Sequence, residues 1–312
     1  MFTFSNMHHV GIGVKDLTKM KTFYKEILRF NLVHGEFPNI EHEAMREVVR
    51  RPQVFFEGII FGQKAGGVMV ELVHMTDPVP RPIRPDFRYG DIGVAKMTIA
   101  VSDLNAFYIQ MKSSLNFCFD PKKVSLPDWR DYHFIYCKDP EGNLIEFISS
   151  EEIKVNSRLR GIRWVGVSVT DLPRSVLFYQ ENFGFDVMVV KPHDKFSGTL
   201  DEITGFKKTR VRSCILKNSK ADTMIELFEV SNPRGRSIPI LTNFGDFGYL
   251  QFCTLCDNVN ELEAFFDKKK IEFLCRKTIM DAGIPEHPGA FIYVKDPDGI
   301  PAEFLHLPEL TA

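Results

Sequence analysis

The 312-residue chain has no apolar stretch long enough to span a bilayer. Its start, MFTFSNMHHVGIGV, has no basic segment leading into a long apolar run. No secretory signal is expected, and a cytoplasmic location follows as the reading. Charge imbalance is nearly absent, with a formal net charge of −2. That excludes a general electrostatic affinity for nucleic acid or anionic membrane. Cysteine is sparse: Cys118, Cys137, Cys214, Cys253, Cys256 and Cys275 lie scattered, mostly in apolar runs, and read as reduced, buried thiols. Cys253 and Cys256 form a lone C-x-x-C with no second pair to complete a zinc site. On a strand, residues three apart face opposite sides, so these two thiols are expected to point apart. With 44% hydrophobic and 26% charged residues, the chain can bury a full core without disulfides or structural metals.

What the sequence does have is a repeat. Val10-Gly11-Ile12-Gly13-Val14-Lys15-Asp16-Leu17 returns as Val165-Gly166-Val167-Ser168-Val169-Thr170-Asp171-Leu172, an offset of 165 − 10 = 155. Phe23-Tyr24 returns as Phe178-Tyr179, Phe30 as Phe185 and Glu71-Leu72 as Glu226-Leu227, all at the same offset. Lys138-Asp139-Pro140-Glu141-Gly142 returns as Lys295-Asp296-Pro297-Asp298-Gly299. The chain is therefore a tandem duplication, with expected domains over about 1–150 and 160–310.

Each half divides again. HHVGIGV reads as a strand and DLTKMKTFYKEIL as an amphipathic helix opened by an Asp cap. NLVHGEF, QVFFEGIIFG and VMVELVH then read as three strands. The second quarter repeats this order, ending in the Asp139-Pro140-Glu141-Gly142 turn. The expected fold is α+β: four βαβββ modules paired into two cupped mixed sheets with helices outside.

The pattern H-V-G-I-x-V-x-D-L, then F-Y, L-x-F, V-E-L and D-P-x-G-x-x-x-E-F, resembles the vicinal oxygen chelate superfamily. That group includes glyoxalase I, methylmalonyl-CoA epimerase, extradiol dioxygenases and bleomycin-resistance proteins. The resemblance covers nearly the whole chain and implies the cupped fold. It also implies metal ligands on the first and fourth strands of paired modules, chelating neighbouring substrate oxygens. The first-strand places fall on His9, Lys96, Trp164 and Gln251, and the fourth-strand places on Glu71, Glu146, Glu226 and Glu303. Four carboxylates at equivalent strand positions read as cup-lining groups, since an unpaired buried carboxylate is costly.

Of the first-strand set, His and Gln are usual ligands. His9, Glu71, Glu146, Gln251 and Glu303 are therefore the candidate metal ligands, and Glu71, Glu146, Lys96 and Glu303 the candidate catalytic groups. A one-residue register slip would substitute His8 for His9, because adjacent strand residues face opposite sides. Lys96 beside Glu146 or Glu71 reads equally as a salt bridge in place of a metal. Tyr136 and Tyr293, at matching positions, read as core aromatics with hydroxyls at the rim. Arg50, Arg51, Lys207, Lys208 and Arg210 lie in segments expected to rim the cups.

Sequence-neighbour packing favours pairing module one with two and three with four. The crossed alternative, one with four and two with three, collects His9, Glu71, Gln251 and Glu303 in one cup. The resemblance implies a metal-dependent isomerase, lyase or epimerase acting on a small oxygenated substrate through an enolate-type intermediate. The divalent ion would be zinc, nickel, manganese, cobalt or iron. A metal-free binding or resistance protein is the alternative. Ring-cleaving dioxygenase chemistry is disfavoured, because Trp164 and Gln251 stand where iron-binding histidines belong. The expected partner is a small molecule, and a homodimer is compatible with the reading.

Overall fold

The computed structural model describes residues 2–129, 132–153, 159–195, 198–239, 242–280 and 288–308. Module one contributes β1 (Phe4–Gly13), α1 (Leu17–Thr22, continued by a π-turn over Phe23–Ile27), β2 (Leu32–Glu41), α2 (Arg46–Val49), β3 (Phe55–Gly62) and β4 (Met69–Asp77). Module two contributes β5 (Gly93–Val101), α3 (Leu104–Met111), β6 (Asn116–Phe117), β7 (Lys122–Val124), β8 (Tyr132–Lys138) and β9 (Leu144–Ser149). Module three follows with β10 (Leu159–Ser168), α4 (Leu172–Asn182), β11 (Val187–Lys195), α5 (Asp201–Thr204), β12 (Arg210–Lys217) and β13 (Met224–Asn232). Module four closes the chain with β14 (Gly248–Cys256), α6 (Val259–Lys269), β15 (Phe273–Met280), β16 (Gly289–Lys295) and β17 (Pro301–His306).

The helix after each first strand starts in the same way. The side chains of Asp16, Asp103, Asp171 and Asn258 each accept a hydrogen bond from the backbone N–H three residues on, at 2.9 to 3.1 Å. This satisfies one donor that a helix start otherwise leaves open. No helix among the described residues is long and apolar enough to cross a membrane.

Two mixed sheets result. One runs β15-β16-β17-β14-β1-β4-β3-β2, and the other β11-β12-β13-β10-β5-β9-β8-β6, with β7 beside β8. The expectation that sequence neighbours share a cup is corrected here. Modules one and four form one sheet through antiparallel β1 and β14, and modules two and three form the other through antiparallel β5 and β10.

Connector length supplies the physical reason. Modules two and three are joined by the short segment 150–158, whereas 78–92 and 233–247 are long enough to carry the chain from one sheet to the other. These long connectors lock onto each other. The Arg236 guanidinium donates to Asp86 and Asp91, and Ile92 N–H donates to the Arg236 carbonyl at 2.9 Å. Pro82 bridges Phe247 as a short parallel pairing.

Within each half the neighbouring modules still touch through buried hydrogen bonds. Tyr24 hydroxyl donates to Asp139 at 3.2 Å, and its repeat Tyr179 donates to Asp296 at 3.1 Å.

Candidate active site

Two rows of side chains cross the cup face of the first sheet. Gly11 sits between Glu71, on parallel β4, and Gln251, on antiparallel β14. His9 is two residues earlier on β1, so it shares that face. It pairs with Cys253, which in turn pairs with Glu303 on parallel β17. Gly11 is required by close approach. A Cβ there would lie 2.4 Å from both terminal atoms of the Gln251 amide.

The second sheet repeats this layout position for position. Gly166 sits between Glu226 and Lys96, and Thr98 sits between Trp164 and Glu146. A Cβ on Gly166 would lie 2.6 Å from two carbons of the Lys96 stem. All four glutamates therefore face cups, in two separate clusters.

The clusters differ in chemistry. In the second cup Lys96, Glu146, Trp164 and Glu226 are all fully buried. The Lys96 ammonium pairs with Glu146 and, at 2.6 Å, with Glu226. The sequence expectation of Glu146 or Glu71 as its partner is thus half corrected: Glu71 belongs to the other cup. Thr98 donates to Glu146 at 2.8 Å, Tyr132 to Glu146 at 3.3 Å and Trp164 Nε1 to Glu226 at 3.3 Å. Burial pulls the Lys96 ammonium toward neutrality, but Glu146 and Glu226 outweigh it and hold it well above the usual lysine range. Aromatics fill the remaining space, with Tyr89, Trp129, Tyr132, Phe134, Tyr136 and Trp164 in one apolar cluster. Tyr136 is a core aromatic as expected, but its hydroxyl is buried instead of lying at the rim.

The first cup has His9 and Gln251 where the second has Trp164 and Lys96. His9 Nε2 lies 3.1 Å from Glu303 Oε2 and 3.3 Å from Glu71 Oε2. Gln251 Nε2 donates to Glu71 Oε2 at 3.1 Å. Yet His9 Nε2, Gln251 Oε1 and Glu303 Oε2 are buried atoms with no well-formed hydrogen bond among the described residues. Buried polar atoms normally find partners, so three in one cluster demand a reason. A divalent cation held by lone pairs of His9, Glu71, Gln251 and Glu303 would satisfy them together. This mixed N/O donor set fits a hard or borderline ion. Burial lowers the His9 pKa, but nearby Cys253, Glu71 and Glu303 outweigh it and raise it well above the usual histidine value.

Sequence reading missed two neighbours. Cys253 lies in the apolar cluster of the first cup, while Cys256 lies in the opposite core, so the two thiols do point apart. Strand alternation from Gln251 was the signal for Cys253. His8 is the other. Along β1, Met7 faces Thr254 and His9 faces Cys253, so His8 is the extra residue of a β-bulge. The bulge breaks strict alternation, and His8 Nδ1 lies 2.8 Å from His9 Nδ1 instead of on the far face. His8, His9 and Cys253 thus place three potential donor atoms within 4.8 Å of one another.

The cup wall is apolar, with Val48, Phe56, Val73, Leu250, Phe291, Tyr293 and Leu305 in one cluster. Tyr293 also borders a cavity of about 1310 Å³ that runs along the seam between the sheets. Leu250, Leu274 and Arg50 share that lining, and the four polar cup residues are not part of it. Of the expected rim cations, Arg50 lines this cavity; Lys207 and Lys208 are exposed beside β12. Burial, then Glu303, raises the Tyr293 phenol well above its usual value.

Comparison with known proteins agrees with this architecture. Residues 6–147 and 161–304 each match the family described as Glyoxalase/Bleomycin resistance protein/Dioxygenase superfamily. A lactoylglutathione lyase of Schizosaccharomyces pombe is 22% identical over 311 residues, covering 96% of this chain and 95% of that protein. Glyoxalase I from Zea mays superposes with a TM-score of 0.60 at 16% identity, covering 98% of this chain and 93% of the other. A putative dioxygenase from Bacillus subtilis gives 0.53 at 12% identity, covering 97% and 85%. At these identities the structural likenesses establish the fold.

Proposed function

The chain belongs to the Glyoxalase/Bleomycin resistance protein/Dioxygenase superfamily, and from that premise we propose that its first cup is the active site of a metal-dependent lyase or isomerase of the glyoxalase type. The observation that carries this reading is the convergence of His9 Nε2, Gln251 Oε1 and Glu303 Oε2 without hydrogen-bond partners, beside Glu71. His9, Glu71, Gln251 and Glu303 would hold the ion. When bound, it supplies positive charge next to substrate oxygens that become negative during proton abstraction.

The S. pombe relative, a lactoylglutathione lyase, supports a thiol adduct of a 2-oxoaldehyde as the substrate class. A lactoyl thioester is an isomer of the hemithioacetal formed from a 2-oxoaldehyde and a thiol. The two differ by moving one hydrogen between adjacent carbons and one proton between their oxygens, so no oxidant or reductant is consumed. A carboxylate must take a proton from the carbon bearing sulfur and return it to the neighbouring carbon. Glu303 suits this task, because its Oε2, 3.1 Å from His9 Nε2, accepts no well-formed hydrogen bond, whereas Glu71 Oε2 is engaged by Gln251. The apolar wall of Phe56, Val73 and Leu250 keeps water from the reacting carbons. The cavity beside Tyr293 gives room for the rest of the substrate.

The second cup is the inert partner, because the Lys96 ammonium occupies the place between its carboxylates. Dioxygenase chemistry is the weaker reading: the first cup has one histidine at its first-strand places, with Gln251 at the other, and the second has Lys96 and Trp164 there. The test is thioester formation from methylglyoxal and glutathione by metal-loaded protein. Glu303→Gln should lower kcat by roughly 10²–10⁴-fold. Undiminished turnover in that variant would reject Glu303 as the proton carrier, and no turnover by the wild type with any divalent ion would reject the substrate class.

A further inference from the structure

His8 is outside the four-residue set, and its place in the bulge gives it a task. The inference rests on the reading of His9 as an ion-holding residue. His9 presents Nε2 to Glu71 and Glu303, and Nδ1 to His8 Nδ1 at 2.8 Å. Two ring nitrogens at that distance share one proton, so one donates and the other accepts. If His9 Nε2 is to offer its lone pair to an ion, the proton of His9 must sit on Nδ1. His8 Nδ1 is then its acceptor. We propose that His8 is a positioning residue that locks His9 in the tautomer with a bare Nε2 and aims that nitrogen between Glu71 and Glu303. Outer partners of this kind set the orientation and basicity of ligating histidines.

The 2.8 Å contact has the length of a hydrogen bond. The sealed second cup supplies the observation that separates this role from a metal site made of His8, His9 and Cys253. The same bulge recurs on β10, where Ile162 faces Ile99 and Trp164 faces Thr98, leaving Arg163 as the extra residue. Arg163 donates instead to Asp222 at 3.1 Å, an exposed partner. The cup that keeps a histidine at the first-strand place also keeps a histidine in the bulge, and the cup with Trp164 has neither.

The test uses His8→Phe, which keeps a ring of similar size but removes the acceptor, and His8→Gln, whose amide oxygen can accept. Zinc affinity is measured by competition with a chromophoric chelator, and the His9 tautomer by ¹⁵N NMR of the zinc-loaded protein. Circular dichroism checks that each variant folds. His8→Phe should weaken zinc binding roughly 10–100-fold, with His8→Gln restoring most of it. The wild type should show zinc on Nε2 and a proton on Nδ1 of His9. Wild-type affinity and an unchanged His9 tautomer in His8→Phe would overturn the proposal. So would two zinc ions in the wild type and one in His8→Phe, which would make His8 a ligand. A wild type that binds no divalent ion would overturn the four-residue reading and this proposal together, so the two failures are distinguishable.

Discussion

His9 Nε2 on the first strand stands 3.1 Å from Glu303 Oε2 on the last. The contact joins opposite ends of the chain, and it exists because β1 and β14 pair in the middle of one sheet. Crossed pairing therefore decides which donors meet. Had neighbours paired, His9 would have met Lys96, and no cup would have held four lone-pair donors.

Gly11→Ala and Gly166→Ala should separate function from stability. The new methyl at Gly11 meets the terminal amide of Gln251, the far end of a flexible side chain. Metal affinity should fall about tenfold or more, while the melting temperature changes little. The methyl at Gly166 meets the middle of the Lys96 stem, which the pairs with Glu146 and Glu226 hold in place, so that variant should be clearly destabilised. Calorimetry on both proteins, with zinc titrations alongside, checks the contrast. Equal destabilisation in the two would contradict it.

Lys96 makes two opposing predictions possible. Lys96→Ala leaves Glu146 and Glu226 buried without their cation, at a cost of about 3–5 kcal/mol. Urea unfolding measures this, and a loss under about 1 kcal/mol would be inconsistent with so buried a pair. The double variant Lys96→Gln with Trp164→His instead rebuilds in the second cup the donor set of the first. It should bind a second divalent ion per chain, read by elemental analysis.

Asp139 and Asp296 predict a pH dependence of stability. Burial pushes Asp139 up to about 6 and Asp296 up to about 7, against partial compensation by the hydrogen bonds they accept. Between pH about 4 and these values the folded chain binds more protons than the unfolded one. Stability therefore falls as pH rises through that window. Asp296→Asn keeps the acceptor for the backbone N–H groups of Asp298 and Ile300 and removes the charge. It should flatten the fall between pH 4 and 7 by on the order of 1 kcal/mol or more. Thermal melts across pH test this; an unchanged slope would show that Asp296 ionises normally in the fold.

Much of this was legible in the sequence. The repeat of V-G, D-L, E-L and D-P-x-G reported the four modules, and the side chains in those motifs do local work: caps, turns and cup-facing carboxylates. Glu71, Glu146, Glu226 and Glu303 could be placed because each recurs at the same fourth-strand position of its module. Module pairing was not legible in the same way. It depends on where the connectors 78–92 and 233–247 lead, and their mutual lock through Arg236, Asp86 and Asp91 joins distant segments. His8 escaped because a bulge adds one residue to one strand, and alternation assumes none is added.

The most direct test of the central claim is the divalent-metal content and affinity of the purified wild type beside Gln251→Ala and Glu146→Ala. The crossed cup predicts one ion per chain in the wild type, an affinity at least about tenfold weaker in Gln251→Ala, and one ion still bound with wild-type affinity by folded Glu146→Ala. An ion lost from Glu146→Ala and retained unchanged by Gln251→Ala, or no ion in the wild type under any condition, would contradict it.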